Sequence, residues 1–221
     1  MKYCFFTLFF VFSTHLLLAQ KDSLKIGDKY WEDQLYLNIS YNVLQNQPSG
    51  TEDSGFSYSF SGGYIKDVPL NKRGDLAVGI GLGYGFSSFN HGLQVIDDTT
   101  IELQNAITNN KITLHNLELP IQFRWRTSDA VTYAFWRVYT GVKMTYNLSN
   151  THSYILNNQS IEFSNVSFFN KFQTGLEISA GYGAFNLYGY YGFTPIYKDI
   201  TIANENLNSK IIKFGLIFYL L

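Results

Sequence analysis

The sequence predicts an all-β protein, an eight-stranded antiparallel transmembrane β-barrel of the outer-membrane type. Eight segments alternate large apolar residues with small or polar ones, and this period of two is typical of a strand with two different faces. The segments that connect them are alternately long and short. Charged residues make up only 15% of the chain and aromatic residues 18%, whereas soluble domains carry about 25% charged residues.

The chain begins with the features of a secretory signal peptide. Met1-Lys2 forms a short positive region, residues 3–18 are largely apolar, and Ala19-Gln20 offers a small-residue cleavage point before polar sequence. An anchoring helix is the alternative, but the apolar run is shorter than the roughly 20 residues that a span needs. We therefore predict a signal peptide over residues 1–19, a periplasmic N-terminal segment over 20–33 and an outer-membrane β-barrel domain over 34–221.

Composition excludes several kinds of chemistry. The one cysteine, Cys4, lies in the predicted signal peptide, so the mature chain has no disulfide, no thiolate metal site and no cysteine nucleophile. The chain also lacks metal-ligand spacing, and we expect neither a metal nor a cofactor. A formal net charge of −1 provides no basic face, so we expect no nucleic-acid partner.

The first two predicted strands cover residues 34–44 and 55–66. In the first, apolar residues alternate with Tyr36 and small polar residues; in the second, aromatic residues alternate with serines. Because successive side chains of a strand point to opposite faces, one face suits lipid and the other suits a polar lumen. The lipid-facing set is Leu35, Leu37, Ile39, Tyr41, Val43, Phe56, Tyr58, Phe60 and Tyr64.

The third and fourth predicted strands cover residues 75–89 and 111–126. The third sets large apolar residues against inward glycines, which leave room for large side chains from neighbouring strands. The glycines are Gly79, Gly81, Gly83 and Gly85, and the candidates for the space are Tyr36, Tyr139, Tyr188 and Tyr190. In the fourth strand the alternation slips at His115-Asn116, which predicts a β-bulge.

The last four predicted strands cover residues 135–148, 168–183, 185–197 and 211–221. The fifth and sixth set apolar residues against polar and charged ones, and the seventh places aromatic residues outward. The eighth resembles the terminal strand that serves outer-membrane barrels as an assembly signal, so we expect the barrel-assembly machinery as a partner. The residues of this predicted signal are Lys213, Gly215, Phe218 and Leu220.

The connections predict how the barrel sits in the membrane. The long ones cover residues 45–54, 90–110, 149–167 and 198–207, and the short ones include 67–74 and the turn at Ala184. Outer-membrane barrels place short turns in the periplasm and long loops outside. Trp31, Trp125 and Trp136 fall on the outward parity at periplasmic strand ends, which predicts an aromatic girdle against outer-membrane lipid.

A cluster of charges falls on the inward parity. Eight strands enclose a lumen that side chains can fill, so buried charges must pair, with Glu118 and Glu177 as the acidic partners. The alternative is an anion path or small-ligand barrel, because basic residues outnumber acidic ones and water or an anion would balance them. The predicted luminal cluster is Glu118, Arg124, Arg126, Arg137, Lys143, Lys171, Glu177 and Lys213.

The long connections are rich in acidic residues and hold two histidines. Asp97-Asp98 lacks the glycine turn of a calcium site, and we interpret the acidic residues as solvated. A lipid-modifying enzyme would use His91 or His152 beside a nucleophile. No Gly-x-Ser-x-Gly elbow accompanies them, so we interpret both as exposed polar residues and expect no catalytic activity.

Several stretches of the sequence resemble the PorT family of outer-membrane β-barrels from Bacteroidota. They are ELPIQFRWRTS over residues 118–128, FWRVYTG over 135–141, YIKDVPL over 64–70 and KFGLIFY over 213–219. The Ala19-Gln20 junction also resembles cleavage sites in those bacteria. The resemblance covers nearly the whole mature chain and implies a location in the cell outer membrane. It implies a non-enzymatic protein that contacts other envelope proteins in type IX protein secretion or gliding, and it supplies no catalytic residues.

Overall fold

A computed structural model describes residues 33–48, 55–103, 107–127, 135–198, 200–202 and 205–220. Within these ranges the chain forms thirteen β-strands. A membrane-spanning helix, long and apolar enough to cross a bilayer, is not found among these residues. The predicted signal peptide and Trp31 lie outside them.

All eight predicted strands are present, and five shorter strands occur in the connections. The strands are β1 Gln34–Gln45, β2 Tyr58–Pro69, β3 Leu76–Asn90, β4 Leu93–Val95, β5 Ile101–Leu103, β6 Thr108–Arg126, β7 Trp136–Leu156, β8 Gln159–Ser164, β9 Phe172–Tyr182, β10 Phe185–Gly192, β11 Thr201–Ile202, β12 Glu205–Asn206 and β13 Lys210–Leu220. The predicted eight correspond to β1, β2, β3, β6, β7, β9, β10 and β13. The β4–β5 and β11–β12 pairs are small separate sheets, whereas β8 extends the main sheet beside β7.

The eight long strands close into an antiparallel barrel. Around the ring the order is β1, β2, β3, β6, β7, β9, β10 and β13, and β13 pairs again with β1. Leu37 lies opposite Phe218 and Ile39 opposite Leu216, as the terminal alternation predicts. Closure leaves no free edge in the barrel wall, a condition that lipid imposes because it cannot hydrogen-bond to the backbone. The predicted eight-stranded barrel is therefore confirmed.

The two faces of the wall differ as the period of two predicts. Large apolar side chains such as Leu35, Leu82 and Leu187 are more than half exposed, while polar and charged side chains are buried in the lumen. An apolar surface this continuous is stable only against lipid. The predicted bulge is also present, as a register shift at His115/Asn116 between β6 and β7.

The wall continues beyond the apolar band at the end with the long connections. β7 extends to Leu156, and β8 returns beside it through Asn157-Asn158, whose φ angles of 50° and 62° are left-handed. The predicted long connection over residues 149–167 is therefore formed mostly by the end of β7 and by β8. Backbone pairing across this hairpin orders a segment that lacks the simple alternation of a membrane strand.

The connections at this end pack into what we call the cap, the described residues of 90–114, 149–170 and 194–209. The cap is rich in buried apolar side chains that continue the core of the lumen, whereas the sequence predicts solvated loops here. The core residues from the cap are Leu93, Val95, Ile101, Ile112, Leu114, Val166, Phe168, Phe169, Ile196, Tyr197, Ile202 and Leu207. Burial of these side chains closes the mouth of the barrel.

The glycine column of β3 gives space to side chains that reach into the lumen. Tyr36 lies against Gly83, where a β-carbon would collide with the phenol hydroxyl. A β-carbon at Gly79 would lie 2.9 Å from the Cδ atom of Arg124. Of the four predicted tyrosines, Tyr36 fills space at the column, whereas Tyr190 lies against Gly175 of β9.

We predict that Gly83→Ala destabilises the barrel and that Gly189→Ala does not. Overpacking against Tyr36 should cost about 1–3 kcal/mol of unfolding free energy. At Gly189 a β-carbon would meet Ile178 Cγ2 at an ordinary 3.4 Å. Urea unfolding in lipid vesicles measures both variants. Adding Tyr36→Phe to Gly83→Ala should recover part of the loss, and equal stability of the two glycine variants would contradict this packing.

Candidate functional site: a filled lumen beneath a packed cap

The lumen at the short-turn end holds one carboxylate between two arginines. The two carboxylate oxygens of Asp67 accept hydrogen bonds from Arg124 and Arg126, and all three side chains are fully buried. Arg124 also donates to the side-chain oxygen of Gln34 at 2.9 Å, and Arg126 Nε donates to the Gly74 carbonyl at 2.8 Å. Charges removed from water need such partners, and this set supplies them.

Sequence reasoning misses Asp67, which fell in the predicted turn over residues 67–74. In the structure β2 continues to Pro69, which pairs with Ala77 of β3, so Asp67 keeps the inward parity of the strand. The signal in the sequence is Val68, an apolar residue on the same outward parity as Phe60 and Tyr64, which extends the alternation past Asp67. This carboxylate accounts for part of the basic excess that suggested an anion path.

An amide joins this layer to the middle of the lumen. Gln122 accepts a hydrogen bond from Arg124 Nε at 3.1 Å and donates one to Glu177 Oε1 at 2.6 Å. The guanidinium carbon of Arg124 also lies 4.3 Å from the ring centroid of Tyr139, within the range of a cation–π contact. The orientation of Gln122 is therefore fixed by a charge on each side.

The middle layer is a lysine between two carboxylates. Lys143 Nζ lies 3.0 Å from Glu118 Oε2 and 3.1 Å from Glu177 Oε2, and all three side chains are buried. The ammonium group also donates to the hydroxyl of Tyr188 at 2.9 Å, and that hydroxyl donates to Glu177 at 3.3 Å. Each glutamate thus lies within ion-pair distance of a base, as the pairing argument predicts.

Two further cations lie toward the ends of the lumen. Arg137, near the short-turn end, donates to the Gly183 carbonyl at 2.7 Å. Lys213, toward the cap, donates to Ser87 Oγ at 3.2 Å, and its Nζ lies 5.8 Å from the ring centroid of Tyr190. Below the cap Lys213 helps to line a small polar cavity that also touches Glu118 and Lys143.

Lys171 does not join the luminal cluster, and that prediction is wrong. Lys171 and Phe172 are both exposed, so the alternation of β9 begins only after residue 171. Trp125 and Trp136 lie on the outward face at the short-turn end. Their role in an aromatic girdle stays a prediction, as does the role of Gly215, Phe218 and Leu220 of β13 in assembly.

The cap brings His91 and His152 together. Both are buried, so the prediction that they are exposed polar residues is wrong. Their side chains are buried, with ring centroids 5.8 Å apart and ring planes nearly perpendicular. The backbone N–H of Leu93 donates to His91 Nδ1 at 3.3 Å. In the described part of the chain, His91 Nε2 and both nitrogens of His152 have no hydrogen-bond partner.

The cap offers no arrangement for acyl transfer among the residues described. A catalytic imidazole must lie within hydrogen-bond reach of its nucleophile, and no described hydroxyl or carboxylate bonds to His91 or His152. Groups of three or more histidines, cysteines or acids that could hold a metal are likewise not found in the described ranges. The acidic residues Asp97 and Asp98 are exposed, and Asp97 accepts the Thr99 N–H at 2.7 Å.

We predict that Asp67→Asn lowers barrel stability more than Glu162→Gln. Neutralising Asp67 leaves two buried arginines without their shared counter-charge, and breaking a buried pair from one side typically costs about 3–5 kcal/mol. Glu162 is exposed on β8, so its change should cost little. Glu177→Gln should also lower barrel stability more than Glu162→Gln does. Thermal melting in detergent provides the comparison, and equal melting temperatures would reject the ion-pair account of the lumen.

A family model matches most of the chain, and two solved structures are similar to it. Residues 18–198 match the family described as outer membrane protein beta-barrel domain. The chain is similar to the structure of Ail, the attachment invasion locus protein of Yersinia pestis, with 12% identity over 87% of this chain and 99% of that chain and a TM-score of 0.36. It is also similar to the N-terminal beta-barrel domain of Pseudomonas aeruginosa OprF, with 11% identity over 86% of this chain and 100% of that chain and a TM-score of 0.28. Among curated proteins, none matches this chain.

The family match spans most of the sequence and includes all but the last of the eight barrel strands. A closed wall with an apolar outer face is the form in which β-strands cross a membrane. The protein is therefore located in the outer membrane. The orientation with short turns toward the periplasm and the cap outside stays a prediction. This chain belongs to the outer membrane protein β-barrel domain family.

Proposed function

We propose that this barrel is non-enzymatic and acts by contacting other envelope proteins through its cap. Two features of the lumen argue against an open channel. The Asp67 and Lys143 layers fill the lower and middle lumen with paired charges, and the apolar core of the cap closes the mouth. The surface that remains for function is the outside of the cap.

The observation that carries this proposal is an unpaired strand edge on the cap. β6, β7 and β8 form a sheet beyond the membrane band, and β8 is its last strand. The two-residue turn makes Leu156 and Gln159 the first hydrogen-bonded pair, so Ser160, Glu162 and Ser164 direct their backbone groups away from β7. In the ranges that the structure describes, no backbone group bonds to that edge.

An extended segment of a partner protein fits this edge by adding a further strand. Main-chain hydrogen bonds supply affinity in this mode of recognition. Ser160 and Ser164 are small and exposed, so a partner strand can approach, while Phe163 packs on the cap core and holds β8 in place. The exposed acids of the cap favour a partner with basic side chains; they include Asp97, Asp98, Glu102 and Glu162.

We further propose that the partners belong to type IX protein secretion or gliding. The support is the sequence resemblance of residues 64–70, 118–128 and 135–141 to the PorT family. The terminal strand β13 supports transient contact with the barrel-assembly machinery during insertion. A deletion strain tests the secretion role: it should lose secreted proteins or gliding and recover both with the wild-type gene. Normal secretion and gliding in that strain would exclude it.

A small-ligand barrel is the second candidate function, and one observation favours it. Among the described luminal residues, five cations face three carboxylates: Arg124, Arg126, Arg137, Lys143 and Lys213 against Asp67, Glu118 and Glu177. Within this described set, the excess lies at the short-turn end, where three arginines face Asp67 alone. Beside the polar cavity below the cap, Lys143 and Lys213 balance the two glutamates. Single-channel recording in planar bilayers, with chloride and with phosphate, distinguishes the candidates. Steady anion conductance that Lys213→Gln abolishes would favour this candidate over the contact function.

We predict that Glu162→Pro abolishes partner cross-links and leaves the barrel folded. Proline removes an outward N–H and its ring obstructs an incoming strand, yet no bond to β7 is lost. The matched control is Ser153→Ala, on the same face of the sheet but in the interior strand β7. A photo-cross-linking residue at position 160 reports contact in living cells.

The expected result is a discrete cross-linked band in wild type and Ser153→Ala cells that Glu162→Pro removes. Heat-modifiable migration on gels checks that each variant is folded. The same band in all three proteins, or no band from position 160 in any of them, would reject the β8 edge as the contact surface.

A further inference from the structure

The buried pair of His91 and His152 stands where separate segments of the cap meet. His91 lies between β3 and β4, and His152 lies on β7. The ring of His152 also contacts Phe168 and Tyr197, at centroid distances of 6.2 Å and 6.1 Å. Phe168 comes from the β8–β9 connection and Tyr197 from the β10–β11 connection. The pair therefore joins four segments that are distant in sequence.

The surroundings of the pair suit neutral imidazoles only. In the sheet His152 lies between Ile112 of β6 and Phe163 of β8, and the phenol of Tyr197 is buried and uncharged. The charged neighbours on those two strands are Lys111 and Glu162, whose positions have the opposite parity, so they lie on the other face of the sheet. No salt bridge to either histidine occurs in the part of the chain that the structure describes.

The hydrogen bond of His91 decides its tautomer. Nδ1 accepts the Leu93 N–H, so in the neutral ring the proton resides on Nε2. An Nε2–H has no lone pair to offer a metal ion, which argues against a metal as the missing partner. A proton added to either ring would instead place a charge in the cap core, beside a second imidazole.

We propose that this histidine pair makes the cap acid-responsive, so that protonation releases the β4–β5 segment from β7 and opens the cap. Asn110 Nδ2 donates to the Leu93 carbonyl, and the N–H and Oγ of Ser167 donate to the Asp98 carbonyl, but in the described part of the chain only two polar contacts join the segment to β7. Gln94 donates to Tyr154 Oη at 3.2 Å, and that hydroxyl donates to the Val95 carbonyl at 2.8 Å. Beneath the opened cap the luminal ion pairs stay in place, so the barrel remains closed to ions while its outer surface changes.

The sign of the pH dependence follows from burial. Burial lowers the pKa of His91 well below its ordinary value, with a contribution from His152, and lowers the pKa of His152 to about 4. The closed cap has its full stability above about pH 6.5, where both histidines are neutral in either state. It loses that stability as the pH falls toward about 4. Each proton taken up on opening raises the opening constant about tenfold per pH unit, so two give up to about 100-fold.

Hydrogen exchange of the folded full-length barrel in detergent tests this proposal. Protection factors, the intrinsic exchange rate divided by the observed rate at the same pH, are measured from about pH 7.5 to about pH 4.5. We expect the amides of Leu93, Ile96 and Val166 to lose between about 10-fold and 100-fold protection per pH unit below about pH 6.5. Wall amides between β1 and β13 should keep theirs.

The pH dependence of cap protection is then compared between wild type and histidine variants. His91→Gln or His152→Gln should leave a slope of about tenfold per pH unit, and the double variant should leave almost none. The matched control is His115→Gln: His115 lies outward at the bulge, hydrogen-bonded to Tyr84, and its loss should leave the slope unchanged. Equal slopes in wild type and the double variant would overturn the proposal.

If a histidine variant fails to fold, NMR of the histidine rings in the wild-type protein tests the proposal instead. The expected result is that the rings of His91 and His152 stay neutral until cap protection is lost. Protonation of His91 or His152 with the cap amides still protected would overturn the proposal. So would constant cap protection across the whole pH range.

Discussion

The pairing of charges inside the lumen is the constraint on which the interior of this barrel depends. Asp67 binds two arginines in a space without bulk water, and an unpaired charge there would cost more than most single contacts supply. This requirement extends β2 to Pro69 and holds the Gly74 carbonyl against Arg126. Gln122 then carries the network to Glu177 and Lys143. The result is a lumen filled mainly by paired side chains, with a small polar cavity below the cap.

Space for these side chains comes from glycines of a nearby strand, β3. The glycines of β3 carry no side chains, so Tyr36, Ile65, Arg124 and Glu118 reach across them. Gly141 and Gly215 meet a different need, since a β-carbon there would collide with the backbone of the neighbouring strand. Small residues on the inner face therefore accommodate large ones elsewhere, and the eight-stranded ring has just enough room for both.

The cap solves a separate problem at the outer end of the barrel. Above the membrane band the wall no longer faces lipid, and its inner side chains, such as Ile112 and Leu114, need apolar partners. The connections supply Phe168, Ile196 and Tyr197, and the two histidines are enclosed with them as neutral rings. Among the residues that the structure describes, the same packing leaves β8 at the rim with one edge unpaired.

The sequence alone determined the wall, because a period of two is a local property that lipid on one side and a polar lumen on the other make unambiguous. Local alternation is enough to predict that Leu37, Ile39 and Leu216 face outward. A break in the same alternation predicts the bulge at His115-Asn116. Tertiary structure decided what alternation cannot encode. Asp67 lies where the sequence suits either a strand or a turn, and Lys171 lies just before its strand begins. His91 and His152 are 61 positions apart in sequence and meet only because the connections share one core. Pairing and packing at such distances depend on the closed barrel, which brings remote segments together.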